Sequence, residues 1–207
     1  MSFRERASKL YMGVPVHFLL RDYLTPLEKE SSRLNNPQSL RGGALFVNGR
    51  ALFLKGASIP LEGDERAYLC GDELVAFRLS GSIRHFNLEP PLGARVLSQL
   101  KEALPSEEVA ASVVRYPWEL VNLSSSAIAS DFELLEEKGI EGHLDPGAEI
   151  VGDERSLRVG KGSRVEPCVL LNVEKGPICI GEDVLIRGPS AIDGPCFIGD
   201  RLSLIHI

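Results

Sequence analysis

The chain has 207 residues, with 43% hydrophobic and 25% charged residues, which suits one large folded domain or two small ones. Its formal net charge of −6 argues against a broad surface for nucleic acids or anionic membranes. No apolar run is long enough to span a bilayer, and the first residues lack the apolar core of a signal peptide. The four cysteines form no CxxC pair, so we expect small buried thiols in a reducing, cytoplasmic compartment.

The first part of the chain begins with segments that resemble strands. Short apolar runs with β-branched residues predict strands over residues 14–20 and 43–49, the second of them buried on both faces. Residues 66–79 contain two more such runs, joined at Gly71-Asp72, and this arrangement predicts a hairpin.

Helical patterns follow these strands. Residues 90–104 begin with two prolines and then space their aliphatic side chains at helical intervals, which predicts a helix. Residues 116–123 predict a short helix, and residues 125–137 predict a longer one that Ser125 or Ser126 would cap. Strands mixed with helices favour an α/β layer for this half of the chain.

After His143 the pattern becomes periodic, with aliphatic residues at steps of 6, 9, 6, 6, 9, 6, 6 and 6. The positions are Leu144, Ile150, Val159, Val165, Leu171, Ile180, Ile186, Ile192 and Ile198. A small or β-branched residue stands two places before most of them, so both side chains point to the same face of a strand. Glycine or an acidic residue often follows the aliphatic residue and suits a corner, because it tolerates unusual backbone angles. Stacked coils of three such units would bury a continuous aliphatic column, which predicts a parallel β-helix of hexapeptide repeats.

The two nine-residue steps support the same interpretation. They lie 21 residues apart, so Ile150–Gly160 aligns with Leu171–Gly181. The alignment predicts that one corner carries a loop in each of two successive coils, one loop stacked on the other. The alternative is an ordinary sheet or sandwich in which the spacing is accidental.

Two kinds of motif carry a resemblance to a known family. The segment Tyr116-Pro117-Trp118-Glu119-Leu120 precedes a helix, and Lys175-Gly176-Pro177 is followed by Ile180-Gly181, a pattern that Gly194-Pro195 partly repeats. The chain resembles bacterial sugar-nucleotide proteins related to the bifunctional N-acetylglucosamine-1-phosphate uridyltransferase/glucosamine-1-phosphate acetyltransferase. The resemblance implies an α/β nucleotidyltransferase-like domain followed by a left-handed parallel β-helix. It also implies a sugar phosphate or nucleotide sugar as substrate, acetyl-CoA as acyl donor, a homotrimer, and a role in cell-envelope biosynthesis.

The same resemblance singles out the end of the strand near residue 47. Residues 44–53 resemble the strand and loop that usually contain Asn-Gly-Asp in sugar-nucleotide transferases, where the aspartate helps to hold Mg²⁺ against the phosphates. In this chain Asn48-Gly49 is followed by Arg50, which cannot ligate Mg²⁺ but is able to contact a phosphate. We therefore expect Asn48, Gly49 and Arg50 to bind substrate, without Mg²⁺ and without nucleotidyl transfer. The Gly-rich nucleotide loop of the active enzymes has no counterpart here.

The periodic half offers few groups for catalysis. No histidine occurs between Leu144 and Arg201, which argues against a zinc enzyme of this fold. Acetyltransferases of the family resembled use a histidine as general base, and it lies in later coils. We therefore expect no catalytic residue and no metal ligand in this chain. The alternative to a transferase is a non-catalytic protein of the same fold that binds a ligand and trimerises.

These inferences predict three segments. Residues 1–140 form the nucleotidyltransferase-like domain with a linker helix, lacking its true N-terminus, and residues 141–201 form an incomplete β-helix. Residues 202–207 match the translated end of a transposase adapter used in sequencing libraries, so we expect them to be an adapter-derived tail. Leu202 and Leu204 nevertheless fall at the small and aliphatic positions, so the tail would continue the coil pattern.

Overall fold

The computed structural model describes residues 3–27, 35, 40, 43–54, 58–80, 85–86, 88–89 and 92–205. The chain divides into two compact units, which we call the first unit (residues 2–116) and the second unit (residues 117–207). Within the described ranges, no helix combines the length and the apolar character needed to cross a membrane.

The first unit is built around a four-stranded sheet. Its elements in chain order are α1 (Phe3–Leu10), a 3-10 helix (Asp22–Leu27), β1 (Ala44–Val47), β2 (Ala51–Leu52), β3 (Arg66–Cys70), β4 (Glu73–Leu79), α2 (Ala94–Ala103), β5 (Ser106–Glu108) and β6 (Ser112–Val113). The strand order is β1-β4-β3-β5. β4 pairs antiparallel with β1 and β3, whereas β3 and β5 are parallel. β2 and β6 form a separate antiparallel pair.

The hairpin predicted at Gly71-Asp72 and the helix predicted over residues 90–104 are both confirmed, as β3–β4 and α2. The predicted strand over residues 43–49 is present as β1, but it is half-buried rather than buried on both faces. The strand predicted over residues 14–20 is wrong: that segment is irregular, with a single bridge at Phe18. Pro15 lacks the N–H that a ladder needs, and this works against regular pairing.

Apolar side chains pack on both faces of the sheet. Ala67, Phe77 and Leu79 pack with Leu100 and Leu104 at the end of α2. Tyr68, the neighbour of Ala67 on β3, belongs instead to a second cluster with Ala51, Phe53, Ile59, Val75 and Ala76. Successive residues of a strand point to opposite faces, so β3 contributes to both clusters. The two clusters agree with the predicted α/β layer.

The second unit begins with one long helix, α3 (Pro117–Glu133). The sequence predicted two helices here, with a cap at Ser125 or Ser126, and that prediction is wrong. No glycine or proline interrupts residues 118–133, so nothing in the backbone stops the helix. The Ser124 hydroxyl donates to the Leu120 carbonyl at 2.6 Å, which satisfies a serine inside the helix without a cap.

The rest of the second unit is a parallel β-solenoid of about three turns over residues 139–204. One sheet contains β7 (Gly139–Ile140), β10 (Leu157–Val159), β13 (Ile178–Ile180) and β16 (Cys196–Ile198). The second contains β8 (His143–Leu144), β11 (Arg164–Val165), β14 (Leu185–Ile186) and β17 (Ser203–Leu204). The third contains β9 (Glu149–Val151), β12 (Val169–Asn172) and β15 (Ser190–Asp193). All pairs within these sheets are parallel.

The periodic aliphatic residues form the core of this solenoid. All nine predicted positions belong to one apolar cluster, and the central ones have no measurable exposure. Ile150, Leu171 and Ile192 stand in register on adjacent strands, and so do Val159 and Ile180. The predicted alignment of Ile150–Gly160 with Leu171–Gly181 is therefore confirmed, and the ordinary sheet or sandwich is excluded.

The glycines of the corners have two different roles. Positive φ angles occur at equivalent places in successive coils, at Gly162 (74°), Asp183 (52°) and Arg201 (59°). Gly160 and Gly181 are not among the residues with positive φ. A Cβ at Gly160 would instead collide with the carbonyl oxygen of Gly181 in the next coil. The expected reason, unusual backbone angles, is thus wrong for Gly160 and Gly181, where the close approach of two coils requires glycine.

The segment 202–207 continues the solenoid as far as it is described. β17 pairs in parallel with β14 and places Leu204 beside Ile186, as the pattern predicted. Leu204 is 38% exposed, whereas Ile186 is fully buried. The adapter origin of the segment stays a prediction.

All four cysteines are free thiols. Cys179 is buried and Cys70 and Cys196 are half-buried, but Cys168 is exposed, which contradicts the expectation of four buried thiols. Cys168 lies in a turn with a φ of 62°, and its side chain is outside the apolar core.

Candidate functional site

The predicted substrate-binding residues form a turn between β1 and β2. The side-chain oxygen of Asn48 accepts the backbone N–H of Arg50 at 3.0 Å, and the Asn48 carbonyl accepts the N–H of Ala51 at 2.8 Å. Asparagine commonly makes this side-chain bond two residues ahead, because its short amide imitates a backbone carbonyl. The turn therefore follows directly from the Asn-Gly-Arg sequence.

Gly49 at the tip of this turn faces open space. A Cβ built there would meet no heavy atom within 4 Å in the part of the chain that the structure describes. Its φ is not positive, so the backbone conformation does not require glycine either. The fold leaves room at this position for another molecule to approach the backbone closely.

Arg50 lies beside two other charged side chains from different parts of the first unit. Its Nη2 atom is 3.6 Å from Oε2 of Glu73, and Nε of Arg115 is 3.1 Å from Oε1 of the same carboxylate. Arg50 and Arg115 are about half exposed, at 52% and 55%, and Glu73 is 31% exposed. Two guanidinium groups thus face one carboxylate.

Backbone hydrogen bonds hold the three residues together. The Asn48 N–H donates to the Val75 carbonyl at 2.9 Å, and its side-chain amide donates to the Leu74 carbonyl at 3.2 Å, next to Glu73. On the other side, the Val114 N–H donates to the Arg50 carbonyl at 2.9 Å, immediately before Arg115. The positions from which these side chains extend are therefore set by strand pairing.

This donor set does not fit Mg²⁺. The Asn48 side-chain oxygen is engaged in the turn, Arg50 brings a positive charge, and the nearby carboxylate of Glu73 is already paired with two guanidinium groups. Magnesium prefers carboxylate and phosphate oxygens in octahedral geometry, without competing cations beside them. No cluster of three or more His, Cys, Asp or Glu side chains suited to a metal ion occurs within the described ranges.

The second unit contains a shallow, open depression of about 560 Å³. It is lined by Glu141, Gly142, His143, Gly162, Ser163 and Arg164. His143 and Arg164 are exposed and stand in register on β8 and β11, whereas the Ser163 hydroxyl is already bonded to the Gly181 carbonyl and the Val184 N–H. A depression that is this open does not enclose a small ligand in the way that binding pockets usually do.

The sequence identified only part of the charged group in the first unit. It singled out Asn48, Gly49 and Arg50, and the structure places all three at one turn. It did not single out Glu73 or Arg115, because each is one charged residue among many and neither belongs to a motif. Only strand pairing brings them beside Arg50.

Comparison with known families addresses the first unit directly. A family profile described as "Sugar nucleotidyl transferase" matches residues 1–139, about two thirds of the chain. No curated protein matches the chain significantly. The residues matched by the profile extend beyond the first unit and include α3. The end of the family match therefore differs from the boundary between the two compact units. The match agrees with the resemblance seen in the motifs, although it does not specify the uridyltransferase/acetyltransferase branch. The chain belongs to the sugar nucleotidyl transferase family.

Proposed function

We propose that the first unit binds the phosphate of a sugar phosphate or nucleotide sugar at the Asn48–Arg50 turn. The observation that carries the proposal is the combination of the family with the turn itself. A sugar nucleotidyl transferase handles phosphorylated sugars, and here the strand end presents an open glycine beside an arginine. Arginine suits phosphate because its planar fork of N–H donors matches the phosphate oxygens.

The proposal also assigns Arg50 a different role from that of the metal-binding aspartate of active relatives. Mg²⁺ usually neutralises the phosphates and bridges them during nucleotidyl transfer. An arginine supplies positive charge without a coordination site, so it supports binding and not metal-assisted transfer. We therefore propose a ligand-binding first unit that has lost magnesium-dependent catalysis.

Calorimetric titration of the chain with N-acetylglucosamine 1-phosphate tests the binding. We expect Arg50→Gln to weaken it about tenfold, since one charge-assisted contact is lost. Arg66→Gln is the matched control, because Arg66 is a partly exposed arginine of the same unit that pairs with Glu107 at 3.2 Å. Equal affinities of the two variants would contradict the proposed site.

A separate assay addresses catalysis. We expect no Mg²⁺-dependent release of pyrophosphate from UTP and N-acetylglucosamine 1-phosphate, because the donor set around Arg50 does not fit the metal. Robust turnover by the purified protein would refute this part of the proposal.

For the solenoid, we propose a left-handed coil of hexapeptide units that supports trimer formation in the cytoplasm. Acyl transfer from acetyl-CoA to the sugar is the activity that the family resemblance suggests for this half. A histidine general base for such a reaction would have to come from outside residues 144–201, which contain no histidine. A trimer that transfers no acetyl group from acetyl-CoA to glucosamine 1-phosphate would favour the non-catalytic alternative.

A further inference from the structure

We propose that Arg50 and Arg115 act together as a phosphate-binding pair, and that Glu73 occupies the phosphate position until a ligand displaces it. The inference rests on the function proposed above and adds two residues to it. Glu73 would then lower the affinity of the site, as an internal competitor of the substrate.

The geometry of the carboxylate supports this assignment. Each oxygen of Glu73 faces a different guanidinium group, with Oε2 toward Arg50 and Oε1 toward Arg115. An anion that bridges two guanidinium groups in this way makes the contacts that a phosphate would make, but with fewer oxygens and less charge. A phosphate monoester placed between the two arginines could satisfy both of them at once.

The exposure of the three side chains makes the exchange feasible. All three are partly solvated, and ion pairs of this kind are weak because water screens them. The backbone beneath them is fixed by the bonds from Asn48 to β4 and from Val114 to Arg50. Displacing Glu73 therefore requires a side-chain rotation and no rearrangement of the sheet. The open space at Gly49 lies on the same turn as Arg50.

The test compares charge-removing variants of the whole 207-residue chain by calorimetric titration at low salt. The probes are N-acetylglucosamine 1-phosphate, inorganic phosphate and, as a neutral reference, N-acetylglucosamine. We expect Glu73→Gln to bind both phosphate probes about three- to tenfold more tightly and Arg115→Gln to bind them about tenfold more weakly. N-acetylglucosamine should show no such change.

Glu107→Gln is the matched control, because it removes one exposed glutamate that pairs with an arginine elsewhere in the first unit. It should leave the affinity for phosphate unchanged, so a general change in net charge can be separated from an effect at the site. Thermal melting of each variant by circular dichroism shows whether it is folded. Glu73→Ala is the second variant if Glu73→Gln does not fold.

The outcomes separate this inference from the function on which it rests. Suppose that Arg50→Gln weakens binding while Glu73→Gln and Arg115→Gln match the wild type. The roles of Arg115 in phosphate binding and of Glu73 as a competitor are then overturned, and the Asn48–Arg50 site stands. Weaker phosphate binding by Glu73→Gln also overturns the proposed role of Glu73 as a competitor of the phosphate. If the wild type binds neither phosphate probe, both proposals are overturned.

Discussion

Replacing Gly181 by alanine tests how closely the coils of the solenoid approach each other. A Cβ at this position would lie 2.8 Å from the backbone nitrogen of Asp200 and 3.0 Å from the carbonyl carbon of Gly199. Both are backbone atoms of the next coil, so they cannot move aside as a flexible side chain would. The Asp200 carboxylate, which accepts the Glu182 N–H at 2.8 Å, would also be displaced.

The expected cost follows from two opposing effects. Overpacking of a tightly packed site costs about 1–3 kcal/mol. At a position whose native φ is compatible with a side chain, alanine also stabilises the protein by about 0.4–1 kcal/mol relative to glycine, because it restricts the unfolded chain. The net result for Gly181→Ala is a loss of about 1–2 kcal/mol in the free energy of unfolding.

Gly199 provides the matched control, because it is the equivalent position of the following coil. The nearest described atom to a Cβ at Gly199 is Cδ1 of Leu202 at 3.9 Å, which is an ordinary contact. Gly199→Ala should therefore leave stability unchanged or raise it slightly. Urea unfolding followed by circular dichroism gives the global value, and hydrogen exchange of the β13 amides reports the solenoid itself. Equal stabilities of the two variants would refute the argument from coil spacing.

Two further predictions concern other parts of the second unit. Ile186→Ala should destabilise the solenoid by about 2–5 kcal/mol because Ile186 is fully buried. Leu204→Ala should cost clearly less, because Leu204 is in register with Ile186 but is 38% exposed. Equal losses in urea unfolding would contradict this difference in burial. Among the thiols, Cys168 should react with iodoacetamide at pH 8 well before Cys179. Cys168 is exposed, and burial raises the pKa of the Cys179 thiol despite an opposing effect from Arg158. Peptide mass spectrometry would show the order, and faster labelling of Cys179 would refute it.

The candidate site shows how far local sequence reasoning extends. The turn at Asn48 was predictable because its hydrogen bonds connect residues at most three apart. The pairing of Arg50 with Glu73 and Arg115 was not, since it depends on which strands lie beside β1 and β2. Surface ion pairs leave no periodic pattern, so nothing in the sequence distinguishes Glu73 from the other acidic residues.

By itself, the sequence determined the elements whose signals are local or periodic. The aliphatic steps were sufficient for the solenoid core and its register, because each coil repeats the same inward positions. Tertiary structure decided what depends on contacts between distant segments. It required glycine at Gly160 and Gly181 through the proximity of the next coil, and it brought Glu73 and Arg115 beside Arg50 through strand pairing. The reason is common to both: contacts between residues far apart in the sequence, and not the residues' own preferences, set these arrangements.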